Sequence, residues 1–170
     1  MGLHNARYNE YTGSVNASIQ AEIKQGKPFE SLEQEAFLAL LWTADRLQWR
    51  LTGALKQHGL SPTQYNALRI LRGAGKLGLA CSEIAERMIT RDPDITRLMD
   101  RLGRMGLVHR GRGDEDRRIV VAKITPKGMD LLKQLDPVMR QFLHGLLGHM
   151  GEKKLNNLLV LLDTAFVARD

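Results

Sequence analysis

The stretch that decides the fold is DITRLMDRLGRMGLVHRGRGDEDRRIVVAKITPKG, residues 94–128. Its first part predicts a helix over 93–105, capped by Asp92-Pro93 and closed by Gly106, with apolar residues at i, i+3, i+7 and i+10: Ile95, Leu98, Leu102 and Met105. Two runs with strand character follow, over 107–110 and 119–124. A short helix over 82–88 precedes the 93–105 helix. This order is typical of a winged helix-turn-helix.

The side of the 93–105 helix opposite its apolar stripe carries polar side chains: Thr96, Arg97, Asp100, Arg101 and Arg104. An arginine can bind guanine through two hydrogen bonds, and a threonine can contact a base edge or a thymine methyl group. A solvated charged face is the alternative interpretation of such a stripe. The hairpin that follows favours a recognition helix that enters the major groove.

Outside residues 94–128, turn and cap residues divide the chain into further helices. Ser61-Pro62-Thr63-Gln64 has the form of a capping box with proline at the first helical position. The predicted helices cover 33–57, 61–73, 126–150 and 153–168, and Thr125-Pro126 caps the third of them. Residues 1–32 form a polar arm that has room for a short helix at 17–24. We therefore expect a mainly α fold with a small β-hairpin wing.

The domain prediction is one domain over 33–170, with a DNA-binding lobe at about 61–126 flanked by helices at about 33–57 and 127–168. The C-terminal helices are too apolar for a small winged helix to cover. They carry Leu131, Leu132, Leu135, Val138, Met139, Phe142, Leu143, Leu146, Leu147, Leu155, Leu158, Leu159, Leu162, Ala165 and Phe166. A larger monomeric core is the alternative. We predict a two-fold homodimer, which would place two recognition helices about 34 Å apart, one turn of DNA.

The positive charge of the chain is concentrated in one quarter of its length. The net charge is +6, and residues 87–127 contain eleven basic and six acidic side chains, a net of +5. A localised basic patch is expected of a surface that binds nucleic acid or an anionic membrane. No run is long enough to cross a membrane, and the polar start of the chain lacks a signal peptide. We expect a soluble, cytoplasmic protein that does not bind membranes.

The segments DITRLMDRLGRMGLVHR (94–110), DRRIVVAKITPKG (116–128) and HGLSPTQYNALRIL (58–71) resemble the MarR family of bacterial transcription regulators. The resemblance covers about 33–168. It implies a homodimer that binds a near-palindromic operator in double-stranded DNA. It also implies that the wing-tip arginine, here Arg118, reaches the minor groove and that Asp116 holds it. Arg117 is a further candidate for DNA contact.

The charges of the wing loop agree with this role. Residues 110–118 contain four arginines and three acids, a net of +1, so the loop is not built for bulk attraction. Arginine carries about 2 kcal/mol of rotamer entropy, and a neighbouring carboxylate can pre-position its side chain. A narrow minor groove favours an arginine that is already directed into it. The roles of Asp114 and Glu115 stay open.

Several other patterns do not support a site. Residues 73–78 match GxGxxG, but they follow a helix and not a strand, so no dinucleotide or other cofactor is expected. The five histidines are scattered, and neither a metal site nor a catalytic triad can be nominated. Cys81, the single cysteine, lies at or beside a helix start, where a thiol can become reactive. The alternative interpretation is a small, semi-buried residue that replaces a cap.

The sequence thus predicts a DNA-binding transcription regulator that is not an enzyme. We expect it to act as a repressor, and we expect a small-molecule effector to relieve the repression. By the family resemblance, the effector pocket would lie between the dimer helices and the DNA-binding lobe. Trp42, Trp49, His58 and Tyr65 are its candidate lining, although aromatics on these helices are more often core residues. The alternatives are a thiol-based redox sensor through Cys81, a winged-helix adaptor for proteins and the dimerisation module of an enzyme.

Overall fold

The computed structural model describes residues 19–90, 94–112 and 120–166 of the 170-residue chain. The fold is mainly helical with a small antiparallel sheet, which confirms the predicted fold class. The helices are α1 (Ile19–Glu22), α2 (Leu32–Lys56), α3 (Pro62–Ala74), α4 (Cys81–Arg87), α5 (Ile95–Arg104), α6 (Pro126–Leu147) and α7 (Gly151–Phe166). The strands are β1 (Leu79–Ala80), β2 (Val108–Arg112) and β3 (Val120–Ile124).

The chain divides into two bodies, Met1–Leu51 and Thr52–Asp170. The division falls inside α2 and differs from the predicted boundary between residues 32 and 33, so the single domain over 33–170 stays a prediction. In the first body, Ser31 Oγ accepts a hydrogen bond from Gln34 N at 3.2 Å at the start of α2. The apolar residues Phe37, Leu40 and Leu41 of this helix are exposed.

In the second body, α3 begins as its sequence predicts. Ser61 Oγ accepts a hydrogen bond from Gln64 N at 3.2 Å, and Ser61 N donates one to Gln64 Oε1 at 2.8 Å. An N-cap of this kind stabilises a helix by about 1 kcal/mol. The predicted end at Gly73 was wrong by one residue, because α3 continues to Ala74 and Gly75 N bonds to Arg72 O.

The wing belongs to a three-stranded sheet of order β1-β3-β2, not to the isolated two-stranded hairpin that was predicted. The strand β1 pairs Leu79 with Ala122 and extends the sheet beyond β3. Gly78 makes this close approach possible: its φ is +75°, and a Cβ there would lie 2.4 Å from Ala122 O. In β3 itself, Ala122 is fully buried while Val120 is 37% exposed.

The core of the second body lies under α3, α4, α5 and the sheet. Its fully buried large side chains are Leu55, Leu68, Leu71, Ile84, Met99, Leu102, Leu132 and Leu135. The helix α4 packs against both α3 and α5, which gives the predicted helix-turn-helix. It begins at Cys81 and ends at Arg87, one residue earlier than predicted at each end.

The C-terminal part contains two helices with a short interruption. The predicted helix over 126–150 ends at Leu147, and Gly148–Met150 forms a single 3-10 turn before α7. Large apolar side chains remain exposed on both helices: Val138, Leu143, Leu159, Val160, Leu161 and Leu162. Among the described residues, no helix combines the length and apolar composition that a membrane crossing requires.

Candidate nucleic-acid interface

The helix α5 has one buried side and one exposed side. Ile95, Leu98 and Leu102 are buried, as predicted from their spacing. Met99 is also fully buried, so the buried stripe is wider than the sequence pattern indicated. The opposite side exposes four of the five predicted contact residues: Thr96, Arg97, Arg101 and Arg104. We call these four the recognition face.

The N-terminal turn of α5 is fixed by Asp94, and the predicted cap Asp92-Pro93 lies outside the described residues. The helix begins at Ile95, two residues later than predicted, with Asp94 as its N-cap. Asp94 Oδ1 accepts a hydrogen bond from Arg97 N at 3.1 Å, and its Oδ2 lies 2.8 Å from Arg97 Nε. The side chain of Arg97 is 85% exposed, while the backbone from which it projects is held by Asp94.

The C-terminal end of α5 is held by the start of α6. Thr125 Oγ1 donates to Gly106 O at 2.7 Å and accepts from Gly128 N at 3.1 Å. Lys127 Nζ donates to Met105 O at 2.9 Å. A Cβ on Gly128 would lie 2.4 Å from Leu107 O, so only glycine lets the two segments approach this closely. The predicted ITPKG motif therefore connects the recognition helix to α6.

Asp100, the fifth predicted contact residue, is only partly exposed and is already engaged. Its carboxylate forms an ion pair with the guanidinium of Arg110, which lies on β2. Sequence reasoning did not single out Arg110. Its position two residues after Val108, which is buried, gave a signal, because alternate residues of a strand point to the same side. An arginine on the core side of a strand needs an acidic partner.

A cleft of about 440 Å³ lies between α5 and the strands at this ion pair. Its lining residues are Met99, Asp100, Gly103, Arg110, Gly111, Arg112 and Val120. The described part of the wing ends at Arg112 and resumes at Val120. The predicted wing-tip residues Asp116, Arg117 and Arg118 lie outside the described residues.

The thiol of Cys81 is not in an activating environment. Cys81 is the first residue of α4, and Ala80, not Cys81, occupies the cap position. Burial raises the pKa of the Cys81 thiol above its usual value, the charge of Arg110 lowers it, and that of Asp100 raises it. The net shift is upward and therefore opposes the reactive thiolate that a sensor needs.

The four candidates for an effector pocket have different environments. Trp42 contacts the guanidinium of Arg46 at 4.7 Å from its ring centre, and Trp49 is 72% exposed. In the other body, His58 is exposed and Tyr65 is buried. The lining of the pocket by these four residues stays a prediction.

The GxGxxG match is a connector between α3 and β1, as the sequence indicated. Within the described ranges, no three histidine, cysteine, aspartate or glutamate side chains are grouped so that they could hold a metal ion.

Comparison of the fold with solved structures adds a distant likeness. The structure of Bordetella bronchiseptica BpsR, whose DNA binding is regulated by 6-hydroxynicotinic acid, is 20% identical with a TM-score of 0.71. The alignment covers 84% of this chain and all of that one. At this identity the likeness supports the fold alone.

Sequence comparison gives the family. The family model described as MarR family matches residues 60–120, which include α3 to the start of β3. An HTH-type transcriptional regulator of Bacillus subtilis, YkoM, is 30% identical over 112 residues, which are 65% of this chain and 70% of the relative. The crystal structure of a MarR transcription factor from Planctomyces limnophilus is 42% identical with a TM-score of 0.62, and the match covers 81% of this chain and 99% of that one. The chain belongs to the MarR family.

Proposed function

We propose that this protein is a homodimeric transcription regulator that binds a near-palindromic operator in double-stranded DNA and does not act as an enzyme. The observation that carries the proposal is the construction of α5. Its buried side anchors it in the core, caps hold both of its ends, and its recognition face exposes three arginines and a threonine. Membership of a family of transcription regulators supports the same function.

The recognition face has the chemistry that base-edge contacts in the major groove require. Arg97, Arg101 and Arg104 can donate paired hydrogen bonds to guanine or bind phosphates, and Thr96 can contact a base edge or a thymine methyl group. The family resemblance adds a wing contact by Arg118 in the minor groove, with Arg118 held by Asp116, and Arg117 is a further candidate for DNA contact. Arg112, at the end of β2, is exposed on the strand that leads to the wing.

The exposed apolar residues of α6 and α7 support association with a second copy. Leu159, Val160 and Leu161 are 59%, 64% and 66% exposed in the single chain. Removing a leucine or valine side chain from water stabilises an assembly by about 1.5–3 kcal/mol when burial is complete. A symmetric dimer formed through this surface carries two recognition helices, one from each chain.

A small-molecule effector that relieves repression is part of the proposal. BpsR, which shares the fold, has its DNA binding regulated by 6-hydroxynicotinic acid. An effector would act by binding one arrangement of the two recognition helices more tightly than another. Trp42, Trp49, His58 and Tyr65 remain the candidate lining, and the cytoplasm is the proposed location.

Other functions have less support. The raised pKa of the Cys81 thiol disfavours the redox-sensing alternative. A protein-binding adaptor or an enzyme's dimerisation module would not need an arginine-rich face that is capped at both ends. An adaptor would also bind duplex DNA with little dependence on salt.

Selection of DNA in vitro tests the proposal. Purified protein is mixed with random duplexes, and the retained sequences are determined. The proposal predicts a two-fold repeat with half-sites about one helical turn apart. Substitution Arg101→Ala should then weaken binding to the selected duplex by about 1–3 kcal/mol, because one arginine contact is lost. Retained sequences without any shared pattern would refute the proposal.

A further inference from the structure

The geometry points to Arg110 as a positioning residue that fixes the recognition helix through Asp100. Asp100 would then serve the orientation of α5 and not contact a base directly. This inference rests on the proposed DNA-binding function and deepens it, because it names residues that determine specificity without touching DNA.

The register of the sheet places Arg110 on its core side. Arg110 pairs with Ala122 across β2 and β3, and Ala122 is fully buried. Directly opposed residues of two strands point to the same side of a sheet, so the side chain of Arg110 leaves the sheet on its core side. Only 25% of that side chain is exposed, against 85% for Arg97 on the recognition face.

Asp100 compensates the charge of Arg110. A cation on the core side of a sheet is unfavourable unless an acid compensates it. The Asp100 carboxylate accepts a hydrogen bond from Arg110 Nη1. Among the described residues, Arg110 Nε is buried without a hydrogen-bond partner. The position of this guanidinium therefore depends on Asp100.

The ion pair lies in the cleft between α5 and the wing strands. Gly103 and Gly111 line this cleft and contribute no side chains to fill it. The ion pair crosses the space between the helix and β2. It can therefore limit rotation of α5 about its axis and hold the root of the wing at a set distance from the helix.

Asp100 also connects the ion pair to the recognition face. Asp100 lies three residues after Arg97 and four before Arg104, so the three positions are neighbours along the helix. A carboxylate that is neutralised by Arg110 repels DNA phosphates less than a free one would. The same pair sets where the neighbouring arginines point, and base contacts depend on that direction more than phosphate contacts do.

The test is a double-mutant cycle with Asp100→Asn, Arg110→Met and both together. Each protein is titrated against the selected duplex and against a scrambled duplex of equal length and charge. Each single substitution should lower the ratio of specific to non-specific affinity by about tenfold, and the double variant should fall no further. Asp130→Asn, which removes the exposed Lys133–Asp130 pair on α6, is the matched control and should leave the ratio unchanged.

The outcomes separate this inference from the function on which it rests. If the wild-type protein does not prefer the selected duplex, the proposed function fails. If it does and the variants keep the wild-type ratio, or the two single effects add, the positioning role is wrong. A loss of discrimination at one base pair with Asp100→Asn alone, and none with Arg110→Met, would assign Asp100 a direct base contact. Thermal unfolding identifies folded variants, and if Arg110→Met does not fold, the ratio measured with Asp100→Asn decides.

Discussion

The recognition face and the exposed apolar surface of α6 and α7 are built in opposite ways. The recognition face presents charged side chains from a helix with a buried stripe and hydrogen bonds at both ends. The apolar surface leaves large side chains such as Val160 and Leu161 in water. A charged face on a fixed helix suits a polyanion, whereas an uncovered apolar face suits another apolar face. The difference indicates that one chain holds two binding surfaces for two kinds of partner.

The largest expected effect comes from the apolar surface. Introducing two carboxylates with Leu159→Glu and Leu162→Glu should convert the dimer into a monomer, because like charges would oppose each other across the interface. Light scattering should then report about 19.1 kDa instead of twice that mass. Operator affinity should fall more than about a hundredfold, since the avidity of two half-sites is lost.

Asn157→Glu is the control for that experiment. It adds a single carboxylate at an exposed polar position of α7. It should leave both mass and affinity near the wild-type values. A double variant that stays dimeric would show that this face of α7 is not part of the dimer interface.

The next effect concerns the wing. Arg118→Ala should weaken operator binding by about 1–3 kcal/mol, and Asp116→Ala should weaken it less, because the arginine would remain but lose its pre-positioning. Titrations at a fixed salt concentration measure both, and thermal unfolding should be unchanged. Wild-type affinity in either variant would contradict the role given to that residue.

The junction between α5 and α6 gives a stability test. In Gly128→Ala, the new Cβ would meet Leu107 O and the side chain of Ile124. Overpacking of this kind costs about 1 kcal/mol or more, so the midpoint of thermal unfolding should fall by several degrees. Gly145→Ala on the same helix has open space around it and should not lower the midpoint. Equal midpoints for the two variants would show that the junction adapts.

The smallest effect concerns Cys81. Burial raises the pKa of its thiol in the folded state, so the folded protein holds this proton more tightly than the unfolded chain does. Stability from this group is present below the ordinary pKa of about 9.0 and is lost as the pH rises through the folded value. Cys81→Ala should flatten the decline of unfolding free energy at alkaline pH. Iodoacetamide should label native Cys81 more slowly than free cysteine at neutral pH, and faster labelling would revive the sensor alternative.

Local signals predicted much of this fold. The Ser61 capping box and Gly106 mark helix ends through contacts between near neighbours, and the structure has both where they were expected. The strand β1 was missed because two residues carry no periodicity and become a strand only by pairing with Val121 and Ala122. The N-cap at Asp94 was not predicted, because Asp92-Pro93 offered a competing cap pattern.

The candidate site was predictable where one helix face decided it. Thr96, Arg97, Arg101 and Arg104 follow from the spacing of the apolar stripe. The ion pair between Asp100 and Arg110 joins a helix to a strand ten residues away, and helical spacing contains no information about that contact. The burial of Met99 likewise depends on how the sheet and neighbouring helices cover α5.

We propose that a dimer of this protein recognises DNA through α5. Titration of the selected operator by fluorescence anisotropy, at several salt concentrations and against a scrambled duplex, tests it most directly. We expect saturation at two chains per duplex, preference for the operator at every salt concentration and a steep loss of affinity as salt increases. Equal affinity for both duplexes, or binding that salt does not change, would contradict it.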